Sequence, residues 1–148
     1  MKLSTRSRYG TRLMLDMAQH YMKGPIQLGT IAKRQNIPVK YLEQIIIPLK
    51  KAQYVKSVRG NKGGHYLARP PEEITVGEIV AILEGGLRLT KCTDEPDACK
   101  RHEDCLTRAV WKQATDAMHE KLNSITLSDL LKTGDPCEYE MDTEDNPT

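Results

Sequence analysis

The apolar residues Leu13, Met14, Met17, Ala18 and Tyr21 recur at three- and four-residue intervals. That spacing predicts a helix capped at Ser4 or Thr5 and ending near Gly24-Pro25. A second, short helix is predicted through Leu28, Ile31 and Ala32, and Asn36-Ile37-Pro38 then turns the chain into a third that runs toward Ala52. In this third helix Val39, Leu42, Ile45 or Ile46, and Leu49 point inward, leaving Lys40, Tyr41, Glu43, Gln44, Lys50 and Lys51 outside. Pro48 is expected to kink or split it, because proline has no N–H and its ring crowds the carbonyl four residues back. Residues 54–58 and 65–69 read as strands around Arg59-Gly60-Asn61-Lys62-Gly63-Gly64, a basic, glycine-rich hairpin tip.

Beyond Pro70-Pro71, Thr75 caps a predicted helix carrying Val76, Ile79, Val80, Ile82 and Leu83, which stops at Gly85-Gly86. A polar loop occupies 87–105. From Leu106 to about Asn123, the residues Leu106, Val110, Ala114, Ala117, Met118 and Leu122 share one side of a long helix at nearly heptad spacing. A shorter helix follows through Ile125, Leu127, Leu130 and Leu131. The acidic stretch from 133 onward lacks apolar mass and is expected to be disordered. The expected organisation is therefore a helix-turn-helix region with a wing over 1–72, a loop and two helices over 73–132, and a tail over 133–148. The fold class is mainly α with a small β-hairpin.

Charge sharpens this picture. The first 69 of the 148 residues carry fourteen Lys and Arg against two acids, Asp16 and Glu43, and the remaining 79 carry eight against eighteen. A formal net charge of +2 thus conceals roughly +12 followed by −10, an asymmetry that points the front half at a polyanion. No run approaches the roughly eighteen apolar residues of a membrane span, and the start has no apolar segment behind its charges, so a cytoplasmic protein with no membrane partner is expected.

Three helices and a two-stranded hairpin in this order, with this charge, describe a winged helix-turn-helix whose third helix enters the major groove of double-stranded DNA. Lys40, Tyr41, Glu43 and Gln44 stand at the front of that helix, where side chains reach base edges; Arg59 and Lys62 belong to the wing. A carboxylate among so many cations is repelled by phosphates unless it accepts from cytosine or rejects other bases, so Glu43 is a candidate for specificity. The plainer alternative is an exposed ion pair with a neighbouring lysine.

The cysteines carry the second chemistry. Cys92, Cys99 and Cys105 lie within fourteen residues of a polar loop, and Cys137 follows in the tail. Their neighbours are charged, which makes them accessible thiols suited to metal or cluster iron rather than core residues. Zinc competes on chemistry, although the gaps are wider than its usual short pairs, and redox thiols remain open. A fourth ligand is not singled out among His102, Glu103, Asp104, His65, His119 and Cys137.

The stretches Leu3-Ser4-Thr5-Arg6-Ser7-Arg8-Tyr9-Gly10, Tyr41-Leu42-Glu43-Gln44, Val58-Arg59-Gly60 with Gly63-Gly64, Thr75-Val76-Gly77-Glu78-Ile79, the three cysteines, Cys105-Leu106-Thr107 with Trp111, and Ile125-Thr126-Leu127 together resemble the family of the bacterial iron-sulfur cluster regulator IscR. Its winged-helix relatives include the nitric-oxide sensor NsrR and the cysteine-metabolism repressor CymR. The resemblance spans residue 1 to about 132. It implies a homodimer joined through the long helix, a palindromic or pseudo-palindromic operator, and an iron-sulfur cluster on Cys92, Cys99 and Cys105, [2Fe-2S] ahead of [4Fe-4S], whose state alters DNA binding. Glu43 and Arg59 match family DNA-contact positions.

Several positions depart from that pattern. Arg108 stands where the family's histidine ligand follows the third cysteine, and it stays protonated. No carboxylate lies between Thr5 and Arg12 to be lent to a partner, the first inter-cysteine gap is one residue longer, and Lys40 replaces a serine. The expected function is a cluster-sensing, DNA-binding transcriptional regulator; the alternative is a zinc- or thiol-dependent repressor without a cluster. No enzyme is expected, since the chain has no phosphate-cradling glycine loop, nucleophile elbow or HExxH helix.

Overall fold

The computed structural model describes residues 2–133, so the expected acidic tail beyond Thr133, with Cys137, lies outside the described residues. The element order is α1 (Thr5–Gln19), α2 (Leu28–Gln35), α3 (Val39–Lys51), β1 (Val55–Val58), β2 (Gly64–Leu67), α4 (Val76–Glu84), α5 (Leu106–Asn123) and α6 (Leu127–Lys132). This is the mainly helical winged fold that the hydrophobic pattern predicts.

Ser4 caps α1, its hydroxyl accepting from the Ser7 N–H at 3.1 Å. The helix stops at Gln19, earlier than the apolar spacing suggests, because Met22 adopts a φ of 64° and the chain turns before Gly24. Asn36 closes α2 in the left-handed conformation, and Pro38 is the N-cap of α3. The inward set of α3 is corrected, and of the two outcomes expected at Pro48 the split does not occur. Ile45 and Ile46 are both buried while Val39 is exposed, and the helix continues through Pro48 as one element. Pro48 falls in the last turns, and Gln44, whose carbonyl loses its partner, belongs to the exposed face, where water can satisfy it.

The wing pairs antiparallel from Val55↔Leu67 to Val58↔Gly64. Thr75 and Glu78 form a reciprocal capping box at the start of α4, and Thr126 and Asp129 do the same for α6. The chain closes on itself here: Val76 N–H donates to Ile125 C=O at 2.8 Å, and Leu127 N–H to Ile74 C=O at 2.9 Å.

One apolar cluster joins Leu13, Met14 and Met17 of α1 to Ile31, Leu42, Ile45 and Leu49, to Val55 and Leu67 of the wing, and to Ile74, Ile79, Leu83 and Leu127. α1 is the element common to these contacts. A Cβ at Gly10 would lie 2.1 Å from Leu83 Cδ1 and 3.3 Å from Ile45 Cγ2, so this packing of α4 and α3 against α1 uses the space left by the missing side chain.

Asp16, on α1, is almost completely buried. Arg34 holds it through Nε at 3.0 Å and a terminal nitrogen at 2.5 Å, and Gln35 Nε2 adds a third bond at 3.0 Å. The carboxylate therefore ties α1 to the end of α2 and sets the position of the helix-turn-helix. Asp16→Ala removes the acceptor that these donors share. Because Arg34 keeps partial contact with water, the expected loss is about 2–3 kcal/mol of unfolding free energy, read from the urea midpoint.

Candidate nucleic-acid interface and cysteine loop

An open groove of about 600 Å³ separates α3 from the wing. Val39, Glu43, Ile46 and Lys50 form one wall; Ser57, Val58, Arg59 and Gly60 form the other, with Gln27 and Gly29 at one end. The fold thus brings Glu43 and Arg59 to facing sides of one concavity. Lys62 is exposed at the hairpin tip. None of the ion pairs among the described residues uses Glu43, so the neighbouring-lysine alternative has no support in this conformation.

The wing is held at this distance by its root. His65 N–H donates to Ile26 C=O at 2.7 Å, Ile26 N–H returns a bond to His65 C=O at 2.8 Å, and Gln27 Nε2 reaches Asn61 C=O at 3.3 Å. Such an approach needs glycine: a Cβ on Gly64 would sit 2.4 Å from the Ile26 carbonyl carbon, and one on Gly63 would sit 2.1 Å from Val58 O. His65 Nδ1 is buried without a hydrogen-bond partner, and burial, with the nearby Lys50 charge, lowers the pKa of this imidazole.

Tyr41 and Gln44 face a different, smaller notch of about 140 Å³, which they share with Arg6 of α1 and with Ile45. Lys40 is exposed at the start of α3. Arg6 is a DNA-facing candidate that the element pattern overlooks. A signal was present: α1 has no acid in its first turn, although Arg6 and Arg8 sit there against the positive end of the helix dipole.

The cysteine loop is fastened to α5 by three bonds. His119 Nε2 meets Leu87 C=O at 2.5 Å, Leu89 N–H donates to Thr115 Oγ1 at 3.3 Å, and Arg108 Nε donates to Cys92 C=O at 2.8 Å. Arg88 closes the loop on Glu95 at 2.7 Å. Short 3₁₀ turns at Lys91–Thr93 and Pro96–Ala98 separate the thiols.

All three described cysteines are free and half-exposed. Cys92 Sγ lies 3.2 Å from Thr90 Oγ1, and Cys105 Sγ lies 3.3 Å from Thr107 Oγ1. Cys105 is the N-cap of α5, and the Thr107 hydroxyl, with the N–H of Arg108, lowers its pKa. His102 Nδ1 contacts Cys99 C=O at 3.1 Å, and His65 belongs to the wing. Among the described residues no three of His, Cys, Asp and Glu come together as a metal site. In donor chemistry the loop fits a thiolate-bound group, whereas in this conformation the sulfur atoms of Cys92 and Cys105 face different hydroxyls.

A family model described as Rrf2, iron-dependent transcriptional regulator, matches residues 3–133. The chain belongs to the Rrf2 family.

Protein rrf2 of Nitratidesulfovibrio vulgaris is 47% identical over 137 residues, 93% of this chain and 91% of that one. Among solved Rrf2-family structures, T. potens IscR superposes with a TM-score of 0.75 at 41% identity, covering 93% of this chain and 91% of the other. CymR of B. subtilis, titled the global cysteine regulator, gives 0.75 at 36% identity, covering 91% and 99%. The protein is a DNA-binding transcriptional regulator of the Rrf2 family and not an enzyme. No helix among the described residues is long and apolar enough to cross a membrane.

The wing anchor yields a direct test. Gly64→Ala forces the hairpin root off Ile26, and the expected outcome is a loss of more than about 2 kcal/mol in chemical denaturation. Gly24→Ala, where no atom lies within 4 Å of the added carbon, meets no such clash and is the control for backbone effects at a glycine of positive φ.

Proposed function

We propose that this regulator acts as a homodimer on a palindromic or pseudo-palindromic operator, and that Cys92, Cys99 and Cys105 hold an iron-sulfur cluster whose state adjusts DNA binding. The observation that carries the proposal is the junction at Cys105. That residue ends the thiol loop and caps α5, and the next turns of the same helix carry the uncovered apolar side chains Leu106, Val110 and Trp111, which are 91%, 56% and 43% exposed. An apolar face of this kind on a long helix suits a second copy of the chain, and two-fold symmetry in the protein matches two half-sites in the DNA. Its place of action is then the cytoplasm.

Lys40, Tyr41, Glu43 and Gln44 are assigned to base edges, Arg59 to the minor groove, and Lys62 with Arg6 to phosphates. Bound in the loop, a [2Fe-2S] group, or [4Fe-4S] as the alternative, supplies a centre sensitive to oxidants, nitric oxide and iron supply. The protein contributes the thiols and the turns between them. Arg108 holds the Cys92 carbonyl and does not ligate, so the fourth donor comes from elsewhere. A second reading, thiol-based or zinc-based control without a cluster, is favoured by the likeness to a cysteine regulator.

DNA binding is expected to weaken steeply with salt, and Lys62→Ala to flatten the slope of log affinity against log salt by about 1. Arg59→Ala should weaken binding about tenfold, a cost of about 1.4 kcal/mol. Glu43→Ala should preserve affinity for the best duplex while broadening the set of sequences bound, as read by selection from random duplexes. A salt-independent affinity would overturn the interface.

Anaerobic purification tests the loop. Brown protein with matched iron and sulfide, losing most of its iron in Cys92→Ala, is the expected result. Colourless protein with stoichiometric zinc, or with free thiols alone, supports the second reading. Val110→Glu should yield a monomer by sedimentation.

A further inference from the structure

Three donors from the first turn of α1 meet one carboxylate oxygen supplied from eighty residues away. Ser4 N–H at 3.0 Å, Ser4 Oγ at 2.6 Å and Ser7 Oγ at 2.5 Å all donate to Glu84 Oε1. Ser4 is the N-cap of α1, and Ser7 is completely buried. The carboxylate expected at the positive end of a helix, absent from α1's own first turn, thus comes from the last residue of α4. Hydrogen bonds to an ionised oxygen at these lengths are among the stronger ones in proteins. The Ser4 and Ser7 hydroxyls, with a contribution from the Arg6 charge, hold the Glu84 carboxyl below its usual range.

Glu84 stands between two contrasting neighbours. On one side Leu83 packs over Gly10 of α1 and belongs to the same buried apolar cluster as Ile45 of α3, which anchors the end of α4 in the core. On the other side Gly85 and Gly86 have φ values of 73° and 116°, nothing lies within 4 Å of either Cβ position, and the Gly86 N–H closes the helix on Ala81 C=O at 2.9 Å. The next carbonyl, that of Leu87, is gripped by His119, and Cys92 follows five residues later. A rearrangement of the loop that pulls on Leu87 frays α4 at its glycine cap, the place where backbone change is least hindered. Glu84 is the last helical residue and the first to be withdrawn. Arg6, in the turn that Glu84 caps, lines the notch with Tyr41 and Gln44.

We infer that Glu84 is a positioning residue that couples the cysteine loop to the DNA-facing end of α1, being docked on Ser4 and Ser7 in one state and released in the other. This rests on the reading that the loop governs DNA binding. It names two discrete arrangements and the contact that distinguishes them, which a coupling route requires.

The test compares DNA affinity of reduced, iron-free protein before and after alkylation with iodoacetamide, in a Cys137→Ser background so that only the loop thiols react. The probe is a duplex selected from random sequence by the unsubstituted protein. In that protein alkylation should change the dissociation constant at least fivefold. Glu84→Ala should bring the ratio within twofold while leaving the thiols equally reactive, and Glu84→Gln, whose amide oxygen still accepts, should restore most of it. Ser7→Ala, a smaller change at the other end of the contact, should lower the ratio as well and decides the matter if Glu84→Ala does not fold. A ratio unchanged in the folded Glu84 and Ser7 variants overturns the coupling and leaves loop control of DNA binding standing. A ratio near one in the unsubstituted protein overturns both.

Discussion

Leu83 of α4 packs onto α1 at the bare face of Gly10, where an added Cβ would lie 2.1 Å from its Cδ1 and 3.3 Å from Ile45 Cγ2 of α3. α1 is consequently shared: one face packs under the helix-turn-helix and the other receives α4, the helix that leads into the cysteine loop. Close packing makes such a shared element poorly compressible, so a displacement of α4 cannot be absorbed locally. The basic front and the acidic back of the chain, opposite in charge, are built on one apolar cluster that runs from Leu13 to Leu127.

The two acids of the basic half show how burial decides the meaning of a charge. Asp16 is buried and fully paired by Arg34 and Gln35, so its carboxylate orients two helices and has nothing to offer a ligand. Glu43 stands exposed on the groove opposite Arg59, with its oxygens uncommitted among the described ion pairs. The wing that brings Arg59 there is held by backbone bonds to Ile26 that glycine at 64 permits, while glycine at 63 lets the hairpin tip close on Val58.

In the acidic half the order of things is reversed. The loop is irregular, and its position derives from three bonds to α5 rather than from a core of its own. The Cys92 and Cys105 thiols rest against Thr90 and Thr107 hydroxyls, contacts much weaker than thiolate–metal bonds, so a bound group can displace them. Arg108 occupies a position from which it braces Cys92 through the backbone.

Local signals in the chain were sufficient for most of the elements. Ser4 and Thr75 announce helix starts, Gly85 announces a stop, and the alternation around Arg59-Gly60 announces a wing, because capping and turn chemistry act over three or four residues. The same local reading placed Val39 inward, allowed Pro48 to split α3 as well as to kink it, and ran α1 on toward Gly24. It went wrong there because helix ends and the choice between adjacent apolar residues are settled by what packs against them. For the site, residue types identified Glu43, Arg59 and the three cysteines as chemistry to be explained. Only the tertiary structure set Glu43 across a groove from Arg59, seated Arg6 beside Tyr41 and Gln44, and delivered Glu84 to Ser4 and Ser7. Periodicity carries information about a residue's own helix or strand, whereas a contact spanning eighty positions depends on how whole elements pack, and nothing in the neighbourhood of either partner encodes it.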